Sequence, residues 1–441
     1  MPPRLLLAGP PWRGEHVVDG KWVGGLLLQL RWVDSACTGG WAPTPASLAP
    51  QRDEGAKLAR TSARMTPAMI SRPSVVALGH PPSTGQTDIA RWMSPPAEPV
   101  GIRSVPESES RFGLGELTRA ALWIWQDRVR TDAYREAIML HQKFIEGKVV
   151  MDVGCGTGIL SVFCARAGAK RVYAVDASEI ATQASEIVKA NNLADKIIVI
   201  HGRVEDVDVE EKVDVIISEW MGYMLLYESM LPSVLFARDK WLKPGGLILP
   251  SHATLFMAPI TNSDRYEGSV DFWCDVYGIN MSALVPLAKK FASEEPSIEI
   301  VGGENVISWP FVVKHIDCYT FTVEEFKSIT TTYKVSSMML APIHGFGLWF
   351  EVEFNGPAES CSNLSSDSSP LDIIQKKRCR ASDSTVVLST APEDEPTHWH
   401  QTILYFPDPI GVTQDQIIEG SVTITPSEEN PRCLNIHLEC S

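Results

Sequence analysis

From Lys148 to Glu219 the chain alternates between two textures, and no other feature constrains its fold as much. The stretches "KVVMDVG", "RVYAVDA", "KIIVIHG" and "VDVIISE" are short apolar runs rich in β-branched residues. Between them, "GILSVFCARAG", closed by Gly168, and "SEIATQASEIVKANN" carry helical spacing. Strand, helix, strand at this rhythm predicts a parallel sheet with helices over both faces. Upstream, "RVRTDAYREAIMLHQKFIEGK" spaces Val129, Tyr134, Ile138 and Phe144 as one helix ending at Gly147, so folded sequence begins by Arg128. A turn is expected at "KPGG" (243–246). Beyond it, "ATLFMAPI", "FVVKHIDCYTFTV", "LWFEVEFN", "TILYF" and "GSVTIT" predict a second, antiparallel domain, either sandwich or barrel. Residues 271–291 read as helical with aromatics at the start, which fits a packed helix or a dimer contact equally.

The flanking composition is different. Of the 31 prolines, 15 fall before residue 115, among Arg, Ser and Gly with no sustained period. Such a stretch buries too little surface to offset its ordering entropy, so residues 1–120 are expected to be disordered. A transit peptide fits less well, because Glu15, Asp19 and Asp34 come early. The run "GGLLLQL" is too short to cross a bilayer and is interrupted by Gln29, so no membrane association is expected. The polar insertion at 355–384 reads as a surface loop, and its "KKRCR" (Lys376, Lys377, Arg378, Arg380) as an import signal or a solvated run.

Over the whole chain of 441 residues, a formal charge of −15 argues against a nucleic-acid surface and suits a positively charged partner such as a basic peptide. The nine cysteines are odd in number, scattered, and include no C-x-x-C pair. Reduced thiols in a cytosolic or nuclear setting, and no structural metal, are therefore expected.

The first strand runs into "VVMDVGCGTGIL", with glycines at 154, 156 and 158. Glycine there permits a tight turn and close backbone approach to a ligand, at the strand ends where open α/β sheets bind. Asp176 ends the next strand, 22 residues after Gly154, where an acid can accept from two ribose hydroxyls. Glu205 follows the third strand, placed to accept from an adenine amino group. Taken singly, Asp176 also reads as a helix cap and Glu205 as a solvated acid. The spacing is G-x-G-x-G, and no Walker lysine is present, which tilts a nucleoside cofactor away from NAD or ATP and toward S-adenosylmethionine.

The fourth strand leads into "ISEWMGYMLLYESM", where Glu219 and Glu228 stand nine residues apart in an apolar, hairpin-like run. Two buried carboxylates repel and are costly unless a cation lies between them. A guanidinium fits, being always protonated with a fork of donors that matches two carboxylates. Bonding of the acids to their own backbone or to Arg238 fits the spacing as well.

From about Asp127 onward, "DRVRTDAYR", "VVMDVGCGTGIL", "VYAVDAS", "GRVED", "SEWMGYMLLYESMLPSVLFARDKWLKPGG" and "PTHWHQTILYF" resemble the type I protein arginine N-methyltransferases. The resemblance implies a Rossmann-like methyltransferase domain (121–250), then an antiparallel β-barrel domain (251–441) with a helical dimerisation arm (about 262–292). It implies Glu219 and Glu228 as the grip on a substrate arginine, with His398, paired to Asp127, near the reaction. Arg130, Asp152, Gly154, Gly156, Gly158, Asp176 and Glu205 would hold S-adenosylmethionine, and Met230 and Trp399 would line the arginine site. Proton acceptance by His398 and a role in orienting Trp399 both fit. Implied further are in-line methyl transfer, basic protein substrates such as histones or Gly/Arg-rich proteins, asymmetric dimethylation, a homodimer, and residence in the nucleus or cytoplasm.

The chain departs from the family immediately before Asp127. Where family members carry a Tyr-Phe-x-x-Tyr motif and a His-Glu-Glu-Met segment that cover the cofactor, it reads "FGLGELTRAALWIWQDRVRT", with Ala121 and Ile124 at the histidine and methionine positions. Loss of that lid would leave the cofactor wetter and impair catalysis. Two other readings compete: a scaffold or dimer partner without turnover, and a small-molecule methyltransferase.

Overall fold

The computed structural model describes residues 26–31, 126–356 and 385–441. Most of the Pro-rich segment, Ala121 and Ile124, nearly all of the 355–384 insertion and the Lys376–Arg380 run lie outside them.

Five parallel strands form the first layer: β2 (Val149–Val153), β3 (Arg171–Asp176), β4 (Ile197–His201), β5 (Val213–Ile217) and β6 (Leu242–Leu249), in the order β4-β3-β2-β5-β6. The chain runs outward from β2 through β3 to β4, then returns to the other side of β2 as β5. That reversal makes a switch point at the carboxyl ends of β2 and β5, where an open sheet leaves a crevice. β2 is buried along its whole length, as expected for a central strand covered on both faces. The turn expected at "KPGG" is instead part of β6, accommodated by Gly245 at φ +72° and a register shift opposite Val213–Val215.

The first helix, α1 (Arg128–Leu140), breaks at His141 and resumes as a single turn, α2 (Gln142–Ile145), where one continuous helix was expected. The His141 side chain accounts for the break, because its Nε2 lies 2.8 Å from the Phe354 carbonyl in the second domain. α3 (Ile159–Arg166) and α4 (Ile180–Ala190) follow β2 and β3 as expected, and α5 (Leu231–Trp241) follows the glutamate hairpin. Arg238 of α5 donates from Nη1 to the carbonyls of Cys318 and Phe321, a bridge to the second domain that leaves it no part in pairing the acids.

The second domain is antiparallel and barrel-like. β7 (His252–Ile260), β8 (Ser297–Glu299), β9 (Phe311–Asp317), β11 (Ala341–Phe354) and β13 (Gln401–Val412) form one sheet, with β12 (Val386–Ser389) on β11. β10 (Ile329–Ser336), β14 (Ile417–Pro426) and β15 (Leu434–Cys440) form the other. The stretch expected as one strand from Phe311 ends at Asp317, because Thr322 and Glu325 close a capping box that starts a helical turn at Val323–Phe326. The second sheet also contains β1 (Leu26–Arg31), which pairs along β15 in a segment where no regular element was expected.

Residues 271–291 are less helical than their spacing suggests. Short 3-10 turns at Asp271–Cys274 and Ser282–Leu284 precede a helix at Val285–Glu294. Phe272, Tyr277, Ile279, Leu287 and Phe291 of this arm are exposed. One continuous apolar core runs from the parallel sheet into the barrel, joining residues such as Tyr134, Ile217 and Phe354. A smaller cluster around Phe256, Trp349 and Tyr405 packs separately.

Candidate active site

The residues after β2 and β5 meet because those strands are neighbours in the sheet, with Asp152 opposite Ile217. Gly154, Gly156 and Gly158 have φ of +72°, +54° and +83°, values that favour glycine. The Val175 carbonyl fixes the turn by accepting from the amides of Gly154 (2.9 Å) and Cys155 (3.0 Å). A side chain at Gly154 would strike Met230, whose Cε lies 2.3 Å from the ideal Cβ position, so the bare backbone lets the thioether rest on the turn.

Asp176 closes the turn from the other side. Its Oδ2 accepts from the Gly156 amide (2.8 Å), and its Oδ1 accepts from the amide (2.8 Å) and hydroxyl (2.6 Å) of Ser178. Glu179, not Asp176, occupies the N-cap of α4, so the helix-cap reading of Asp176 fails. Glu205 accepts from the Ser233 hydroxyl at 2.7 Å and lies 3.5 Å from Arg203 Nε, so it is held by α5 and is more than a solvated loop acid. Asp152 is fully buried beneath the glycine turn. Its Oδ2 accepts from Ser161 at 2.6 Å, while its Oδ1 has no partner among the described residues. Burial raises its pKa to about 7, partly opposed by the Ser161 hydrogen bonds.

The acid-bearing run folds as the hairpin expected from its sequence. Gly222 pairs with Leu225 and Tyr223 with Tyr227, and the Met230 amide donates to the Trp220 carbonyl at 2.9 Å, returning the chain beside Glu219. The hairpin needs Gly222, because a Cβ there would sit 1.7 Å from the Tyr227 carbonyl oxygen. Met224, Leu225 and Glu228 adopt left-handed φ of +44°, +71° and +58°. Such residues cost about 1 kcal/mol or more each, a strain the surrounding packing must hold. Trp220, Leu225 and Leu226 are buried beneath the loop.

Glu219 has a basic partner 89 residues away in sequence, Arg130, whose Nη1 donates to its Oε2 at 3.2 Å. Arg130 Nε and Glu219 Oε1 are both buried and without hydrogen-bond partners among the described residues. Unsatisfied polar atoms are rare in protein interiors, and two at one ion pair mark a place suited to a polar or charged ligand. The Glu228 backbone is held at both groups by Arg432: its N–H donates to the Arg432 carbonyl, and its carbonyl accepts from Arg432 Nη2, both at 2.8 Å.

Asp127 caps α1 and ties it to the barrel. Its Oδ1 accepts from the Arg130 amide (2.9 Å), and its Oδ2 accepts from His398 at both the amide (2.9 Å) and Nδ1 (2.7 Å). Burial alone would raise this carboxyl, but the hydrogen bonds from His398 and Arg130 outweigh it and hold the pKa below its ordinary value. An ionised carboxylate only accepts, so in the neutral imidazole the proton sits on Nδ1 and Nε2 is left as the acceptor. The Trp399 ring lies 3.9 Å from that of His398, centroid to centroid, and edge-on to Phe350. At 3% exposure Trp399 packs in the barrel core beneath His398.

Three contributors escaped the sequence reading. Tyr134 was expected only as an apolar helix position, yet its hydroxyl donates to the Ser218 carbonyl at 2.9 Å, fixing α1 to the end of β5. Arg432 carries no local signal, since its partner Glu228 lies 204 residues away, whereas Ser161 meets Asp152 only nine residues back, across the glycine turn.

Known proteins resemble this chain along most of its length. Residues 251–369 and 374–441 match the arginine methyltransferase oligomerization subdomain, and residues 137–251 match the ribosomal protein L11 methyltransferase (PrmA) model. A probable protein arginine N-methyltransferase 6.1 of Oryza sativa subsp. indica is 75% identical over 376 residues, covering 85% of this chain and 97% of that protein. Among solved structures, the Trypanosoma brucei PRMT1 enzyme-prozyme heterotetrameric complex with AdoHcy aligns with a TM-score of 0.61 at 33% identity, over 72% of this chain and 91% of that one. Arabidopsis thaliana protein arginine methyltransferase 10, in an open conformation, aligns with a TM-score of 0.60 at 35% identity, over 74% and 93%.

Proposed function

The chain belongs to the protein arginine N-methyltransferase family, and we propose that Glu219 and Glu228 grip the guanidinium that it methylates. As a member, it transfers methyl groups from S-adenosylmethionine to arginine residues of proteins. The observation that carries the assignment of the grip is the buried Glu219 Oε1, which has no hydrogen-bond partner among the described residues, on a hairpin that also holds Glu228 in a left-handed conformation.

The residues present fit the cofactor. The left-handed glycine turn offers bare backbone, Asp176 and Glu205 stand at consecutive strand ends, and Arg130 keeps a buried Nε for an anionic group. Gly154, Gly156, Gly158, Asp152, Asp176, Glu205 and Arg130 would hold S-adenosylmethionine, which supplies an electrophilic methyl on a sulfonium. Glu219 and Glu228 draw the positive charge of the guanidinium toward the nitrogens they touch, leaving electron density on the third nitrogen for attack. Met230, resting on Gly154, narrows the approach between the glycine turn and the hairpin. His398 Nε2, left as the acceptor by the Asp127 bond, takes the proton released from the attacking nitrogen.

Finer features belong to the same proposal. Basic substrates such as histones or Gly/Arg-rich proteins suit a chain of net charge −15. Asymmetric dimethylation and residence in the nucleus or cytoplasm accompany that substrate class. A homodimer through the arm is supported by its exposed Phe272, Tyr277 and Phe291 and by the oligomerization-subdomain match.

The test pairs calorimetric binding of S-adenosylmethionine with methyl transfer to an Arg/Gly peptide, for the wild type and Glu219→Gln. Transfer by the wild type, with a drop of about a hundredfold or more in kcat of the variant at saturating cofactor, supports the grip. Cofactor binding by the wild type without any transfer refutes catalysis by this chain and leaves a scaffold.

A further inference from the structure

Arg432 lies 204 residues beyond Glu228 in sequence, yet it holds both backbone groups of that glutamate. A tight turn presents it. Asn430 Oδ1 accepts from the Arg432 amide (3.0 Å), the Cys433 amide donates to the Asn430 carbonyl (2.9 Å), and the Cys433 carbonyl accepts from the Ser427 amide (2.8 Å). One residue after Cys433 the chain becomes β15. On one side β15 pairs with β14, from Pro426 opposite Leu434 to Gly420 opposite Cys440. On the other it pairs with β1 in unbroken antiparallel register, from Leu26 opposite Cys440 to Arg31 opposite Asn435.

β1 therefore converts β15 from an edge strand into an interior one. An edge strand is bonded along one side only and opens more readily than one bonded along both. The β1 register ends at Asn435, three residues from Arg432, so opening of β15 at that end would reach the turn that presents the clamp. Glu228 depends on that clamp, because its φ of +58° persists only where the surroundings impose it.

We infer that Leu26–Arg31 is a brace acting in cis, which through β15 and the positioning residue Arg432 keeps Glu228 in place for the substrate arginine. The inference rests on the reading of Glu228 as part of the arginine grip. It assigns an N-terminal segment far from the reacting atoms a role in substrate engagement rather than in cofactor binding.

The test uses the full chain. The double substitution Leu28→Pro and Gln29→Pro removes an amide donor of each parity from β1, so a ladder bond is lost whichever set faces β15. Hydrogen exchange read by mass spectrometry follows peptides spanning residues 434–440 and 222–230, alongside S-adenosylmethionine affinity and the KM for an Arg/Gly peptide. Exchange in both segments should rise by about tenfold, and KM for the peptide should rise, with cofactor affinity unchanged. Arg432→Ala should accelerate the hairpin alone, and Arg432→Lys should restore part of its protection.

Unchanged exchange at 434–440 in the proline variant overturns the brace. Faster exchange there with an unchanged hairpin overturns its coupling to Glu228. Should the wild type bind cofactor and methylate no arginine peptide, the functional reading falls, while the exchange measurements still decide the coupling.

Discussion

Replacing Asp152 by Asn probes the floor of the proposed cofactor site through the pH dependence of stability. The Asp152 carboxyl is fully buried, and burial raises its pKa from 3.8 to about 7. The folded chain accommodates the neutral form, so the associated stability is fully present below about pH 4 and is lost as the pH rises to about 7. At about 1.4 kcal/mol per pH unit, the loss is on the order of 4 kcal/mol in all, of which about 3 kcal/mol falls between pH 5 and pH 8. Asn carries no charge and removes this slope. Its carbonyl can still accept from Ser161, while its amide nitrogen would take the place of Oδ1, which has no partner among the described residues. That unsatisfied donor costs about 1–3 kcal/mol at any pH, and the constant offset cancels when two pH values are compared. Urea unfolding of wild type and Asp152→Asn without cofactor, at about pH 5 and about pH 8, measures the difference. The variant should gain about 3 kcal/mol on the wild type between the two conditions. A stability difference that is the same at both, within about 0.5 kcal/mol, refutes a raised pKa for Asp152 in the fold.

Gly222→Ala places a methyl group 1.7 Å from the Tyr227 carbonyl, so the hairpin must open; methyl transfer should fall by about a hundredfold or more while calorimetry finds cofactor affinity retained. Asp127→Asn weakens charge-assisted bonds to His398 and should cost about 1.5–3 kcal/mol at neutral pH. Because the folded pKa of Asp127 is lowered, its contribution is present above the ordinary carboxylate pKa and lost as pH falls through the folded value, so acid unfolding curves of variant and wild type should converge. Phe291→Asp on the arm, where the residue is 64% exposed, should shift the chain toward monomer in light scattering if the arm joins two copies.

Much of this protein was legible in one dimension because its signals are local. The parallel layer follows from period and turn chemistry between Lys148 and Glu219, and each of the four expected strands appears. The left-handed glycine turn, Asp176 at a strand end and the return of the chain at Gly222 are likewise set by neighbouring residues. Even the need of Glu219 for a cation follows from the cost of burying a carboxylate.

What only the tertiary structure decided involves partners far apart in the chain. That Arg130 and not Arg238 meets Glu219, that His141 breaks the first helix against Phe354, and that Trp399 lies in the core under His398 depend on how two domains pack. The same holds for the pairing of Leu26–Arg31 with β15 and for the Arg432 clamp on Glu228. Backbone hydrogen bonding between distant strands has no periodic signature of its own, and a left-handed glutamate is held by whatever surrounds it. Sequence thus specified which groups the site requires, and folding decided which distant residues hold them there.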